Sequence, residues 1–373
     1  MLDGGRWLKK QLKQTLKAKG VSHPLSMKDK EIIEAIRKET VTANRNNCTR
    51  TAAYFQYYRN NPEMHWSLLA HLVSRNAGWN MTDLKGEYLP VLLSGKEQVD
   101  FFVFLERGNW LIFQDAYPQL LLYQYSRQIG RPLFHLLAPL GISAFMLPFW
   151  EKFWDDGNSE RITKALIVNE QMYIEERVVQ NHQYMQTVTD KVMFKLQDIL
   201  DFNHILFPYE TPNQKKTKLI GGTVHHFSAV DARVFFGKSL YHTLFSVKSR
   251  LEQITAWSEA HVHSGSRSDY WPDLFSLVKE TPPGKVHELL ESPCRRKHKG
   301  PKIYSPPLEQ AWEDWTHQEA EPGDWFRNLT TLRWMKAKTK ELDEDIESSY
   351  CRTIEEVEMA VTAKHTFKRE EEA

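Results

Sequence analysis

The sequence predicts an all-α protein: a compact multi-helix domain, an irregular proline-rich C-terminal arm and one further helix. Three observations carry this expectation. Apolar residues recur at helical spacing along most of the chain, whereas the two-residue alternation of a strand is rare. Glycine, a strong interrupter of helices, occurs only 17 times in 373 residues. Residues with helix-starting spacing stand at the head of several apolar stretches.

Residues 1–26 are basic, as in "GRWLKKQLKQTLKAKG", and charge dominates their pattern, so little contribution to the core is expected. The helical core domain is expected over 27–278. Ser26 and Asp29 have capping-box spacing and open "SMKDKEIIEAIRKE", with Ile32, Ile33 and Ile36 on one side. "PEMHWSLLAHLVSRNAGWN" reads as a helix started by Pro62 and stopped at Gly78. "EQVDFFVFLERGNWLIFQDAYPQLLLYQYSRQIG" reads as two helices joined near Gly108–Asn109, and residues 160–200 as one long unbroken helix. "YETPNQKKTKLIGG" is a polar connection. A helix capped by Ser228 and Asp231 should run to about Ala260. Over 279–340 the texture becomes proline-rich and basic: a wrapping arm anchored by Tyr304, Leu308 and Trp312, then a helix in "DWFRNLTTLRWMKAKTKELDEDIE". The acidic tail, 341–373, is expected to be mobile.

Composition bounds the function. The chain is 41% hydrophobic and 26% charged, the balance of a soluble globular protein long enough to bury a core. A formal net charge of +1 gives no general nucleic-acid signal. Cys48, Cys294 and Cys351 are far apart, giving neither a disulfide framework nor a metal pair, and a reducing, cytosolic compartment is expected. No secretory signal is expected at the N-terminus. Residues 132–150 carry no formal charge and approach the ~20 residues of a membrane span. Pro132, Pro139, Gly141 and Pro148 interrupt them, so a buried helical segment is expected. A membrane-associated scaffold is the alternative.

The strings "RTAAYFQYYRNNPEMHWSLLAHLVSRNAGWNMTDL", "FHLLAPLGISAFMLPFW", "NEQMYIEERVV", "HSGSRSDYWPDLF" and "GPKIYSPPLEQAWEDW" resemble the YppC-like family of Bacillus-type bacteria, a family with a domain of unknown function. The resemblance runs from about Thr40 to Trp315. It implies a bacterial, cytosolic protein, and it brings no activity or catalytic residue.

Polar residues on apolar stripes mark the candidate site. On the helix around Leu69 they are His65 and Asn76. Around Ile174 they are Glu170 and Asn181, and around Leu244 it is Arg233. Such groups either form an internal hydrogen-bonded network or line a pocket between helices. Arg233 needs an anion in either case, and Glu170 is the expected partner. The segment "AHVHSGSRSDYWPDLF" offers a rival. In extended backbone His261 and His263 face the same way, and Asp269 adds a hard third ligand for a divalent metal. The plainer expectation is a helix end with a stop at Gly265. His225 and His226 belong to the opposite end of the same helix. The diglycine of "LIGG" is a candidate anion holder before a helix, usually only a change of direction. Glu175 and Glu176 read as a solvated pair, and Arg295 to Lys299 as a solvated loop. No nucleotide-binding, hydrolase or zinc-protease motif is present, and no cofactor is evident beyond that metal. The expected function is binding of a protein partner or a small polar ligand between helices. The alternative is a metal-dependent enzyme.

Overall fold

The computed structural model describes residues 2–18, 24–186, 188, 204–211, 214–224, 226–281, 290–291, 294–296, 300–336, 339, 342 and 346–371. The fold is predominantly α. In chain order the helices are α1 (Leu2–Ala18), α2 (Met27–Ala43), α3 (Asn47–Asn60), α4 (His65–Asp83), α5 (Leu89–Leu92), α6 (Gly95–Ile129), α7 (Leu147–Asp156) and α8 (Ser159–Ile174). After α8 come one π turn (Glu175–Val179) and a short α9 (His182–Tyr184). A hairpin of β1 (His204–Thr211) and β2 (Gln214–Thr223) follows, then α10 (Val230–Phe245) and α11 (Lys248–Ala260). The arm holds α12 (Leu308–Ala311) and α13 (Leu332–Lys336), and α14 (Ile346–Glu371) ends the chain.

Local chemistry sets several of these ends. Ser26–Asp29, Asn46–Thr49 and Ser94–Glu97 are reciprocal capping boxes that satisfy the first amides of α2, α3 and α6. Gly130 and Gly157 close α6 and α7 in the left-handed conformation. The core is built around α4, α6 and α8, which pack on one another. Helix α3 lies along α4, α2 on α6, and α10 on α8. Trp66, Trp79, Phe113, Phe149 and Trp150 are fully buried there.

Several expectations are corrected. Gly108 does not divide α6, which is continuous over 35 residues. Gly78 does not stop α4. It lies inside that helix, where a Cβ would stand 2.3 Å from Asn47 Oδ1 and 2.5 Å from His263 Nε2, so the position needs a residue without one. The long helix from 160 breaks at the π turn, and the stretch 189–203 lies outside the described residues. The polar connection is half of a hairpin, and Gly221 (φ 155°) is required because a Cβ would strike the Ile205 carbonyl. The diglycine therefore sits within β2 and does not precede a helix. Ser228 does not cap α10, whose N-cap is Ala229, and a break at Ser246–Val247 separates α10 from α11. Of the helix read into residues 324–347, the described part is helical only in short turns at Leu329–Thr331 and Leu332–Lys336 and in Ile346–Glu347, which open α14. Residues 132–150 are not one helix but two 3-10 turns and the start of α7, with Phe134, Phe145, Phe149 and Trp150 buried. No described helix is long and apolar enough to cross a membrane.

Both ends of the chain carry buried side chains, contrary to expectation. Leu8 and Leu12 of α1 are buried, and α1 packs on α7. The acidic stretch forms α14, which lies on the hairpin and buries Tyr350, Ile354, Val357 and Val361. Cys351 of α14 is bonded to Cys294, so two of the three cysteines do pair. Deleting the chain from Ile346 onward should lower the unfolding midpoint by more than ~10 °C, because a docked apolar face and its hydrogen bonds are lost together. A thermal melt followed by circular dichroism checks this, and a midpoint within ~3 °C of the parent would refute it.

Candidate ligand-binding site

Three of the helices that carry inward polar residues surround one cavity of about 160 Å³. Helix α4 contributes Trp66, Leu69 and Val73, α8 contributes Glu170 and Gln171, and α10 contributes Arg233, Phe236 and Leu240. Arg50 and Tyr54 of α3 close one side, and Ile205 of β1 with Phe227 closes another. Gly237 brings α10 close to α8, since a Cβ there would stand 3.0 Å from Ile167 Cγ2.

Glu170 lies on this wall. Its carboxyl accepts the indole N–H of Trp66 at 3.0 Å and the side-chain amide of Gln171 at 3.3 Å. Burial pushes its pKa up to about 8, and these two hydrogen bonds only partly oppose that. At neutral pH the group is therefore mainly a neutral acid with a proton to donate. Arg50 stands opposite as one half of a buried ion pair with Glu106, and its Nε–H has no partner.

Arg233 is buried, but its anion is Glu175 and not Glu170. Its Nε–H donates to Gln171 Oε1 at 2.9 Å and its Nη1 to the Phe227 carbonyl at 2.7 Å. These partners, Gln171 and Glu175, lie one and five residues beyond the predicted position; Glu175 opens the π turn, where a 100° wheel no longer applies. Glu175 is accordingly not a solvated rim residue, whereas Glu176 makes an exposed pair with Arg327.

The other candidates lie elsewhere. Asn76 clamps β1 to α4: its amide donates to the Leu206 carbonyl and its oxygen accepts the Leu206 N–H, each at 2.9 Å. His65 stacks on Phe245 (centroids 4.0 Å apart) and meets the Tyr241 hydroxyl at 3.1 Å, and burial lowers its pKa to about 4. Asn181 caps α9 through the Gln183 N–H and does not reach the cavity.

Of the proposed metal ligands, His263 and Asp269 are brought together and His261 is not. His261, just past the end of α11, lies flat on Trp257 and bonds its carbonyl through Nδ1. His263 turns the other way, between Asn47 Oδ1 (2.8 Å from Nε2) and Asp269 Oδ2 (3.3 Å from Nδ1). Asp269 is further held by Ser264 and the Trp79 indole. Among the described residues no group of three or more His, Cys, Asp or Glu side chains is arranged to hold a metal ion. The segment is a helix end with Gly265 at φ 87°, then a buried Arg267 whose guanidinium binds Asp83, Asn80, Tyr270 and Tyr350. His225 and Lys297 to Lys299 lie outside the described residues.

Sequence reasoning missed Asp115 and Glu106. Both sit inside α6 among apolar residues, and the apolar count hides them. Asp115 binds Asn169 and Gln119, and burial raises its pKa to about 7.

The fold and cavity define a helical protein without a recognisable catalytic constellation among its described residues. Residues 42–358 match the family described as "Protein of unknown function (DUF2515)", and the chain belongs to that family. It is 41% identical over 254 residues to the uncharacterized protein YppC of Bacillus subtilis (strain 168), covering 68% of this chain and 77% of YppC. No solved structure matches it.

Two outcomes test this geometry. Arg233→Met should destabilise by ~3–5 kcal/mol in urea unfolding, because Glu175 and Gln171 lose their donor; Glu175→Gln, at a partly exposed position, should cost ~1–2 kcal/mol. For Glu170, the folded state holds a proton that the unfolded state releases between its ordinary pKa and about 8. Its contribution is therefore greatest at low pH and is lost as pH rises toward 8. Glu170→Gln removes that loss. Its stability relative to the parent should improve by ~1–3 kcal/mol from pH 5 to pH 8.5. A difference that does not change with pH would mean the carboxyl is ionised throughout.

Proposed function

We propose that the protein binds a small molecule with an apolar body and a hydrogen-bond-accepting head in the cavity between α3, α4, α8 and α10, without chemistry upon it. The observation that carries this reading is the Glu170 carboxyl on a largely apolar wall, where burial pushes its pKa up to about 8 and favours the neutral acid. An acid in that state donates a proton to an acceptor at little desolvation cost. The unpartnered Nε–H of Arg50 is a second donor, so a carbonyl or carboxylate head suits the site. Trp66, Tyr54, Phe227 and Phe236 supply flat apolar surface for the body. The lining contains no histidine or cysteine, and the Ser74 hydroxyl is within hydrogen-bond reach of Thr51 and Asn47 rather than of a base. We place the protein in the cytosol, as the resemblance to Bacillus proteins implies, although the Cys294–Cys351 bond would there face reductants.

Thermal shift against a panel of C4–C7 monocarboxylates and their amides tests the reading. At least one compound should raise the unfolding midpoint saturably, by an amount equivalent to ~2.7 kcal/mol at a hundred times its Kd. Val73→Phe, which fills the cavity, should fold and lose the shift. Absence of any shift across the panel, or a shift that persists in Val73→Phe, would overturn it.

A further inference from the structure

We propose that the cleft beneath the C-terminal arm is a second binding site, and that it takes an organic cation: an amine or guanidinium on a short alkyl stem. The cleft lies between the start of α3, the first half of α6, the loop at His263–Ser264 and arm residues 307–315. Its volume is about 470 Å³, within the range that small ligands occupy. It is distinct from the cavity at Glu170, and no lining residue is shared.

One wall is aromatic and firmly held. Trp312 stacks on Phe102 with centroids 4.1 Å apart and an interplanar angle of 8°, and its indole N–H donates to the Met81 carbonyl at 2.8 Å. The Lys85 ammonium lies 4.5 Å from the centroid of the Trp312 ring, so this wall already accepts one cation of the chain's own. Trp315 meets Phe102 edge-on, yet 42% of it is exposed at the mouth, a large aromatic surface without full cover.

The other wall is acidic. Glu106, Glu309, Glu313 and Asp314 line the cleft, and Arg45 is the one lysine or arginine among its lining residues. Arg45 is already engaged by Asp314 at 3.2 Å. Glu309 and Glu313 form no ion pair among the described residues. The positive end of α3 is also spent, since the Asn46–Thr49 box satisfies it and the Asn46 amide donates to Asp314 at 2.7 Å. An anion would therefore meet uncompensated carboxylates here, and a cation would not.

Glu106 supplies the independent sign that a donor is missing. It lines the cleft and is only 2% exposed. Burial opposes its charge, but Arg50 and His317 outweigh burial and hold the carboxyl below its usual range. Its Oε1 accepts no hydrogen bond: His317 Nε2 faces it at 3.5 Å as an ion-pair contact alone. Buried carboxylate oxygens in folded proteins normally have a donor. A ligand N–H at this end of the cleft provides one, with the stem along Phe102 and a second amine between Glu309 and Glu313. A bare metal ion is a poorer match, because among the described residues no set of three ligating side chains is arranged to hold one.

Isothermal titration of the full chain with 1,4-diaminobutane, agmatine and spermidine tests this. 1,4-Butanediol and sodium chloride at matched ionic strength are the controls. At least one of the amines should bind saturably and the diol should not. Trp315→Ala and the double variant Glu309→Gln/Glu313→Gln, all at exposed positions, should each fold and weaken binding about tenfold. Glu106→Gln should abolish it; if that variant does not fold, the rim variants still decide. Glu170→Gln should bind the amine like the parent, which separates this site from the inner cavity. No saturable binding beyond the controls, or unchanged affinity in both rim variants, would overturn the proposal.

Discussion

A buried guanidinium cannot lose its proton, so a fold that encloses one must bring acceptors to it. Arg267 imposes that demand on much of this molecule. Its partners are Asp83 and Asn80 at the end of α4, Tyr270 three residues on, and Tyr350 from α14. The Tyr350 ring also lies 5.3 Å from its guanidinium carbon. Asp83 supplies the counter-charge, and the two hydroxyls bond each other at 2.7 Å. Segments separated by most of the chain are thus fixed to one point. The adjoining backbone follows: Ser266 Oγ donates to the Ser305 carbonyl, the Arg267 N–H to Ser305 Oγ, and the arm is seated. His263 then lies across Gly78, where a longer residue would hold the loop off the helix.

The same helix that anchors Arg267 forms one wall of the inner cavity. Helix α4 places Trp66, Leu69 and Val73 along that wall, while Asn76, one turn further on, grips Leu206. The grip matters because Ile205, the neighbouring residue, lines the cavity. Register between β1 and α4 is therefore set by a side-chain amide whose oxygen and N–H are both bonded. An apolar residue at 76 would leave both Leu206 groups bare and allow the hairpin to slide. Packing alone specifies no such register, because the apolar face of a strand can shift along a helix at small cost.

Legibility followed the range of each interaction. Helical periodicity marked the apolar faces of α2, α4, α8 and α10, and short-range capping marked the start of α2. Glu170 and Arg233 were readable as inward groups because each lies on a regular helical face, and both do line the cavity. What failed depended on partners far away in sequence. Gly78 looks like a stop until His263, from elsewhere in the chain, is laid over it. Gly221 looks like a turn until Ile205 is paired against it. Glutamates stand between and beside the apolar residues of the last helix, so Ile354, Val357 and Val361 gave too weak a stripe to show that it docks. His261 and His263 looked alike by spacing, but a flat ring contact with Trp257 and a bond to Asn47 send them to different neighbours.

One feature joins the two cavities. Arg50 lines the inner cavity, Glu106 lines the outer cleft, and they form a single ion pair buried between them. The pair is a shared partition, and each half is the other's counter-ion. A charge that draws Glu106 outward leaves Arg50 less well neutralised and raises its attraction for an acceptor on the inner side. An acceptor that takes hold of Arg50 likewise frees part of the field of Glu106 for the cleft. Free energy spent on one face of such a partition is felt on the other, and by thermodynamic reciprocity the effect has equal size in both directions.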